Sequence, residues 1–320
     1  MTKEDLRIVF LGTPDFAVES LRRIVDGGYN VVGVVTMPDK PAGRGHKMYH
    51  SPVKEFAEAR GLHLMQPVKL KDPEFVDELR SLNADLFIVI AFRMLPEVVW
   101  TMPRLGTFNL HASLLPRYRG AAPINWAVIN GDTETGVTTF FLKHEIDTGD
   151  IIAQERVEIL PTDNVGDVHD RLMMLGADLT IKTIDDIIAG TLTTIPQDKL
   201  LGDSEATPAP KIFKETCKID WTAPAENVHN LVRGLSPYPA AWATLSDGDT
   251  ELGAVKIFET RITDTPSATP GEIIIEGNTL TVGCGDGRSL EIISLQAPGK
   301  RRMPVADFLR GSRLTNPKFS

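Results

Sequence analysis

RIVFLGTPDFAVESLRRIVDGGYNVVGVVT, residues 7–36, decides the fold. RIVFLG (7–12) is a nearly continuous apolar run ending at a glycine, which reads as a buried strand. Residues 16–26 set Phe16, Val18, Leu21, Ile24 and Val25 near helical spacing and stop at Gly27-Gly28. VVGVVT (31–36) is the next strand. Strand, helix, strand is a βαβ unit, so the sheet is expected to be mostly parallel, with helices on both faces. Working outward, strands are expected at 85–90 (DLFIVI) and 107–111, and helices at 52–60, 73–81 and 122–130. Strands at 134–142 and 151–157 flank a turn, Asp147-Thr148-Gly149-Asp150. Asn164 can cap a helix reaching Ile188 and ended by Gly190.

Residues 190–210 are rich in Thr, Pro and Gly with little apolar periodicity, which reads as a linker. Beyond it the texture changes. Short β-prone runs at 254–262, 272–275, 279–283 and 289–295 are separated by turn signals, with one helix at 225–233. That count suits a small β-barrel of OB type; a small sandwich is the other option. The expected plan is therefore a first domain at 1–189, a linker at 190–210 and a barrel domain at 211–320. A chain of 320 residues fits a two-domain protein.

Composition narrows the class. Hydrophobic residues make up 42% and charged residues 24%, which excludes a disordered chain. The longest apolar run, 86–92, is far short of the roughly 20 residues of a membrane span. The start, MTKEDLRIVF, lacks the pattern of a signal peptide, and two cysteines make no disulfide framework, so a cytoplasmic protein is expected. The net charge of −9 argues against a bulk nucleic-acid binder. From Pro210 onward 13 basic residues balance 13 acidic ones, so the whole −9 falls before it. One stretch of this acidic region reverses sign: DKPAGRGHKMYHSPVK (39–54) carries Lys40, Arg44, Lys47 and Lys54 against Asp39 alone.

Four places can carry chemistry. Gly12-Thr13-Pro14-Asp15 follows the first strand. It suits ligand approach at a helix N-terminus, or simply a tight turn with Asp15 as cap. It is not the dinucleotide fingerprint, since G-x-G-x-x-G is absent, which weighs against a nucleotide-binding oxidoreductase. Asn109 and His111 lie two apart at the end of a strand, so strand alternation points both to one face, at the edge where open α/β sheets place ligands. A lone histidine is most often structural; the Asn at i−2, the Pro/Gly-rich loop after it and a later Asp in a tight turn favour a site. Asp147-Thr148-Gly149-Asp150 suits a chain reversal by composition alone, yet His144, Glu145 and two aspartates crowd it with titratable groups. The basic stretch 39–54 is long for a strand-to-helix connection and favours a nucleic-acid contact over a merely solvated tip.

The string NLHASLLPRYRGAAPI (109–124) closely resembles the active-site stretch of the methionyl-tRNA formyltransferases, within the folate-dependent formyltransferase group. GTPDF (12–16), PDKPAGRG (38–45), the run 142–150, Ile219-Asp220-Trp221 and SLQAPGK (294–300) resemble the same family, in order and over nearly the full chain. The resemblance implies a Rossmann-like domain followed by an OB-like barrel that helps hold tRNA. It implies transfer of a formyl group from 10-formyltetrahydrofolate to the α-amino group of methionyl initiator tRNA. The family's catalytic residues fall on Asn109, His111 and Asp147, and its folate-binding signature on Ser113, Leu114, Leu115 and Pro116. Its tRNA-reading loop falls on 39–54, with Lys40, Arg44 and Lys47 as the contacts. The chain departs from the family's Ala-Tyr-Gly at Ala91-Phe92-Arg93, beside the pterin pocket, and carries Ala112 where members have Gly.

The residues themselves agree with that chemistry. Formyl transfer to an amine needs a hydrogen-bond donor for the oxygen that gains charge, and a proton relay. Asn109 can donate; His111 can donate or carry the proton; Asp147 can hold the imidazole. No metal is required, and no cluster at metal-ligand spacing competes. A monomer, without DNA or membrane partners, is expected. A sibling formyltransferase or formyltetrahydrofolate hydrolase acting on a small molecule needs neither the basic loop nor this C-terminal region. A non-catalytic tRNA-binding module leaves the Asn, His and Asp unexplained.

Overall fold

In the run 8–12 every residue is buried, so the first strand is covered on both faces. In the computed structural model, which describes residues 1–42, 47–201, 206–266 and 269–320, the chain forms two compact units. One comprises Met1–Gly120, Thr135–Val157 and His169–Pro208; the other comprises Ala121–Glu134, Glu158–Val168 and Ala209–Ser320.

The first half alternates as expected: β1 (Ile8–Gly12), α1 (Asp15–Asp26), β2 (Val31–Val35), β3 (Lys40–Ala42), β4 (Lys47–Tyr49), α2 (Pro52–Ala59), β5 (Leu64–Met65) and α3 (Pro73–Ser81). It continues with β6 (Leu86–Ile90), α4 (Glu97–Trp100), β7 (Thr107–His111), β8 (Arg119–Gly120), α5 (Pro123–Ile129), β9 (Glu134–Phe141), β10 (Ile151–Glu158) and α6 (Val165–Ala189). The main sheet has the order β10-β9-β7-β6-β1-β2-β5. β2, β1, β6 and β7 pair in parallel, as do β2 and β5, while β9 runs antiparallel to β7. On one face Val9, Leu11, Phe87 and Val89 pack with Phe75, Val76 and Leu79 of α3 and Val99 of α4. On the other, α1 lies on β1 and α6 on β7: a Cβ on Gly12 would meet Ala17 Cβ at 2.8 Å, and one on Gly176 would meet Leu110 Cδ2 at 2.7 Å. Phe10 and Phe108 are fully buried in this sheet, and truncating either to Ala would cost roughly 3–5 kcal/mol.

Local chemistry sets the ends of the elements. Ser51 Oγ accepts from Lys54 N at the start of α2, and Asp72 from Glu74 N at the start of α3. Asn164 Oδ1 accepts from Gly166 N and Asp167 N, the cap expected for α6, and Gly190 ends that helix at φ +69°. Asp15 is not a cap: Pro14 holds that place, and Asp15 is the first helical residue. Gly12 serves close packing, since a side chain there would strike Phe10 as well as Ala17.

The sheet order fixes where a ligand can go. From β1 the chain moves to β2 and β5 on one side, then returns to place β6 and β7 on the other. The crevice at this reversal lies beyond the C-terminal ends of β1 and β6, next to the end of β7.

In the stretch 39–54 the described residues on either side of 43–46 pair with one another. β3 and β4 pair antiparallel, with Lys40 opposite Tyr49 and Ala42 opposite Lys47. Their base is fastened: Lys54 Nζ lies 2.5 Å and His50 Nδ1 3.0 Å from Asp39 Oδ2, and Gln66 Nε2 donates to Asp39 Oδ1 at 2.9 Å. The bond from Lys54, then that from Gln66, pulls the Asp39 carboxyl down to about 2. Arg44 lies outside the described residues.

After α6 come α7 (Asp198–Leu201), β11 (Pro208–Ala209), α8 (Ala225–Leu235), β12 (Ala241–Asp247), β13 (Thr250–Thr263), β14 (Ile273–Glu276), β15 (Thr279–Gly283), β16 (Ser289–Gln296), β17 (Met303–Pro304), α9 (Val305–Arg310) and β18 (Pro317–Phe319). The second unit is an antiparallel sheet in the order β14-β15-β16-β13-β12-β18, rolled until its edges meet. Glu272 bridges Lys318, and Phe319 N donates to Gly271 O at 2.9 Å, so the strands form a nearly closed barrel. Ile219 and Trp221 are core residues of this barrel; the Trp221 ring stacks on Phe319 at 5.7 Å. Asp220 serves the local turn, accepting from Thr222 N and Oγ1.

Candidate active site

β7 ends in the sequence that carries the chemistry. Leu110 packs against α6, so strand alternation turns Asn109 and His111 to the opposite face. Asn109 Oδ1 is buried and has no hydrogen-bond partner among the described residues. A buried amide oxygen without a partner is costly unless a ligand supplies one.

His111 is 7% exposed and held on three sides. Its ring meets Phe140 edge-on at 6.4 Å. Its Nε2 lies 2.8 Å from Tyr118 O. A carbonyl can only accept, so Nε2 carries the hydrogen, and in the neutral ring Nδ1 holds the lone pair. Nδ1 lies 3.9 Å from Asp147 Oδ2. That gap is too long for a hydrogen bond and too short to admit a water; a shift of about 1 Å closes it.

Asp147 belongs to the turn between β9 and β10 and has φ +54°, in the left-handed region. Its Oδ2 accepts from Gly120 N at 3.0 Å, which aims the carboxylate at His111. Gln197, only 2% exposed, donates from Nε2 to Asp147 O at 2.9 Å and to Gly149 O at 2.8 Å. Its Oε1 accepts from Arg119 Nε at 3.1 Å and Nη2 at 2.7 Å. Gly149 is required for close approach: a Cβ there would lie 1.6 Å from Phe141 O.

Ser113, Leu115 and Pro116 are buried and Leu114 is half-buried. Ser113 Oγ donates to Arg117 O at 2.7 Å, closing the turn on itself. Thr138 of β9 pins it: its Oγ1 donates to Ser113 O at 2.6 Å and accepts from Leu115 N at 3.1 Å. Leu115 packs with Phe140 and Ile151. The turn that leads from His111 to the Tyr118 carbonyl is thus a rigid wall.

At the end of β6, Ala91 takes φ +47°. Arg93 turns away from open solvent: Nη1 donates to Val68 O at 2.9 Å and Nη2 to Pro67 O, and the guanidinium covers the Phe92 ring at 5.5 Å. The structure therefore draws together His111, Asp147, Tyr118 and Gly120, with Asn109 two residues before His111 on the same strand. Lys40 is exposed on the hairpin, and Lys47 lies opposite Ala42. Sequence reasoning missed Gln197, the Tyr118 carbonyl and the Gly120 amide. Gln197 falls in the stretch 190–210, where Ile195 also bridges Ile151.

Known proteins bear on this arrangement. A family model described as formyl transferase matches residues 6–184, and one described as the formyl transferase C-terminal domain matches 211–313. A protein from Bacteroides fragilis named methionyl-tRNA formyltransferase is 61% identical over 317 residues, covering 98% of each chain. One of the same name from Bacteroides thetaiotaomicron is 59% identical over 318 residues, covering 99% of this chain and 98% of its own. Among solved structures, an N-formyltransferase from Helicobacter canadensis, in complex with folinic acid and dTDP-3-aminofucose, superposes with a TM-score of 0.67 at 20% identity, covering 90% of this chain and 98% of its own. HypX from Aquifex aeolicus in complex with tetrahydrofolic acid superposes at 0.63 and 19% identity, covering 95% of this chain, which spans 47% of that longer protein. These two share the fold. With relatives of one name matching from end to end, the chain belongs to the methionyl-tRNA formyltransferase family.

Proposed function

We propose that this chain transfers the formyl group of 10-formyltetrahydrofolate to the α-amino group of methionine on initiator tRNA. The observation that carries the reading is the His111–Asp147 pair at the end of β7, in a chain of this family, beside an amide oxygen left buried without a partner. That orphaned oxygen of Asn109 fits a polar substrate in the crevice. Bound there, 10-formyltetrahydrofolate supplies the formyl carbon.

The chain's own groups then divide the work. The Asn109 amide nitrogen donates to the formyl oxygen as it gains negative charge. Its partnerless oxygen accepts from the N–H of the attacking amine. The Nε2 hydrogen of His111 is committed to Tyr118 O, so His111 acts through Nδ1, the ring atom free to receive a proton. Asp147 balances the charge of the ring once Nδ1 has taken the proton of the attacking amine; as the new C–N bond forms, the bond from the formyl carbon to the folate nitrogen breaks, and His111 gives the proton from Nδ1 to that leaving nitrogen. The turn Ser113, Leu114, Leu115 and Pro116 walls the folate side of the crevice.

Residues 1–189 form the catalytic domain in this reading, 190–210 the connection, and 211–320 the region that helps hold tRNA. Lys40, Arg44 and Lys47 contact the acceptor end. The protein works as a monomer in the cytoplasm, without DNA or membrane partners. No helix among the described residues is long and apolar enough to cross a membrane.

The test is direct. The protein is incubated with charged initiator tRNA and 10-formyltetrahydrofolate, and formylmethionine is sought on the tRNA. Formyl transfer to an amino sugar nucleotide, or release of free formate without tRNA product, would replace the reading with the small-molecule sibling.

A further inference from the structure

We infer that Gln197 is a positioning residue for Asp147, acting on the reaction through the backbone of the catalytic turn. The inference rests on the reading of Asp147 as the partner of His111. Gln197 is 2% exposed, and both ends of its amide are used. The nitrogen donates to the carbonyls of Asp147 and Gly149, the two residues that flank Thr148. The oxygen accepts twice from the Arg119 guanidinium.

The effect on geometry follows. Asp147 holds φ +54°, a conformation that a non-glycine residue keeps only when its surroundings fix it. Gln197 fixes the carbonyl side of that residue, and Gly120 N fixes its carboxylate. Arg119 is the neighbour of Gly120 in β8 and is tied to Gln197 in turn. One buried amide therefore joins the two strands of chain that meet at the Asp147 carboxylate. Loosen it, and the turn can relax without unfolding anything else. The carboxylate, which already stands 3.9 Å from His111 Nδ1, then drifts off the imidazole.

Two variants separate the two halves of this clamp. Gln197→Met keeps the side chain's length and removes every hydrogen bond. Gln197→Glu keeps an acceptor for Arg119 but replaces the N–H groups that hold the turn. Both are compared with the parent in the full-length protein at matched far-UV circular dichroism. Each is expected to lower kcat about 10-fold or more, with the KM for 10-formyltetrahydrofolate within about twofold, since misplacing a reacting group costs rate before binding. Exchange of the Gly120 amide, whose acceptor is the Asp147 carboxylate, is expected to quicken about 10-fold in both. In an Asp147→Ala background, Gln197→Met is expected to add less than about twofold to the loss, because the two act as one unit.

Parental kcat and parental Gly120 exchange in Gln197→Glu would overturn the inference. So would a Gln197→Met effect that multiplies fully with Asp147→Ala, which would place its action elsewhere. Should Asp147→Ala alone retain full activity, the catalytic reading of Asp147 falls, while Gly120 exchange still decides whether Gln197 holds the turn.

Discussion

In the proposed mechanism Asn109, His111 and Asp147 act through atoms whose placement has a different local cause in each case. The Asn109 oxygen lacks a partner among the described residues, His111 Nδ1 is left over once Nε2 is bound to Tyr118, and Asp147 Oδ2 is aimed by Gly120. Replacing any one by Ala is expected to lower kcat about 10²-fold or more while folate binding changes far less, as losing an oxyanion donor or proton relay does. Steady-state kinetics with separate folate titration checks this; near-parental turnover in a folded variant removes that residue from the mechanism. Gly149→Ala makes the same point through backbone. A Cβ there meets Phe141 O at 1.6 Å, so the turn must move and carry Asp147 with it. A loss of about 10²-fold in kcat is expected, since a displacement near 1 Å suffices for that. Asn109 and His111 were legible in the sequence because strand alternation and the C-terminal edge of the sheet are local rules. The approach of Asp147 to His111 was only suggested there, by an aspartate in a tight turn, and was given its place by the family resemblance, because it depends on the pairing of β7 with β9. Gln197 gave no signal at all: its partners include two backbone carbonyls, which leave no trace in residue type.

Elements with their own start and stop chemistry were read to the residue. α3, β7 and β15 fall on 73–81, 107–111 and 279–283, where caps, glycines or alternating apolar residues mark both ends. β5, β18 and α4 were not read, since two to four residues are too few to show a period. β12 escaped because two of its three inward residues, Ala241 and Ala243, are small, which leaves Leu245 as the one large apolar side chain turned inward. The β3–β4 hairpin read as a loop because its three pairs hold no apolar stripe. Its fastening changes the charge count, for Asp39 and Lys54 cancel and the remaining cations of the stretch are Lys40, Arg44 and Lys47. Arg44→Ala is expected to cut kcat/KM for methionyl-tRNA and to erode the preference for initiator tRNA, with folate binding intact. Comparing initiator tRNA with one whose end pair is restored checks it: an unchanged preference would leave the hairpin a solvated cationic tip. The fastening also titrates. Its folded pKa is depressed below the ordinary carboxylate value, so its contribution is present above that value and lost as pH falls toward about 2. In α8, burial and then Arg233 push the His229 pKa down, and its Nδ1 lies 2.8 Å from Thr260 Oγ1. The fold there favours neutral histidine, so its contribution is present above the ordinary value of 6.5 and lost as pH falls from there toward the lowered one. Melting curves from pH 7.5 to about pH 5 should show that decline, and His229→Gln should flatten it.

At the scale of the whole molecule the chain order and the packing disagree, and the disagreement has a measurable consequence. Read along the sequence, the stretch 190–210 invites a cut that frees a catalytic half from a tRNA-holding half. The second compact unit, however, also takes in Ala121–Glu134 and Glu158–Val168. Within that unit α5 lies on α8: Asn125 Nδ2 donates to Gly234 O at 2.8 Å, and a Cβ on Gly234 would come within 2.5 Å of Ile129 Cγ1. Trp126 Nε1 donates to Pro210 O at 2.7 Å, and Arg233 Nη1 to Asp163 O at 3.1 Å. No local pattern could announce this, because α5 reads as an ordinary amphipathic helix whichever neighbour it has. A protein ending at Pro208 therefore keeps α5 and 158–168 but strips them of α8 and the barrel. Ile129, packed against the barrel core, becomes exposed along with the polar groups that α8 had satisfied. Uncovering a large apolar side chain costs about 1.5–3 kcal/mol, and each hydrogen bond exchanged for one to water about 0.5–1.5 more. The shortened protein should thus melt roughly 10 °C or more below the parent, taking a loss of several kcal/mol at about 2–4 °C each. It should also aggregate as it does so, and bind initiator tRNA at least about 10-fold more weakly once several phosphate contacts are gone. Thermal melting, size-exclusion chromatography and tRNA titration check the three outcomes together. A shortened protein that melts with the parent and stays monodisperse would show that α5 does not depend on α8, and unchanged tRNA affinity would remove the barrel from tRNA binding.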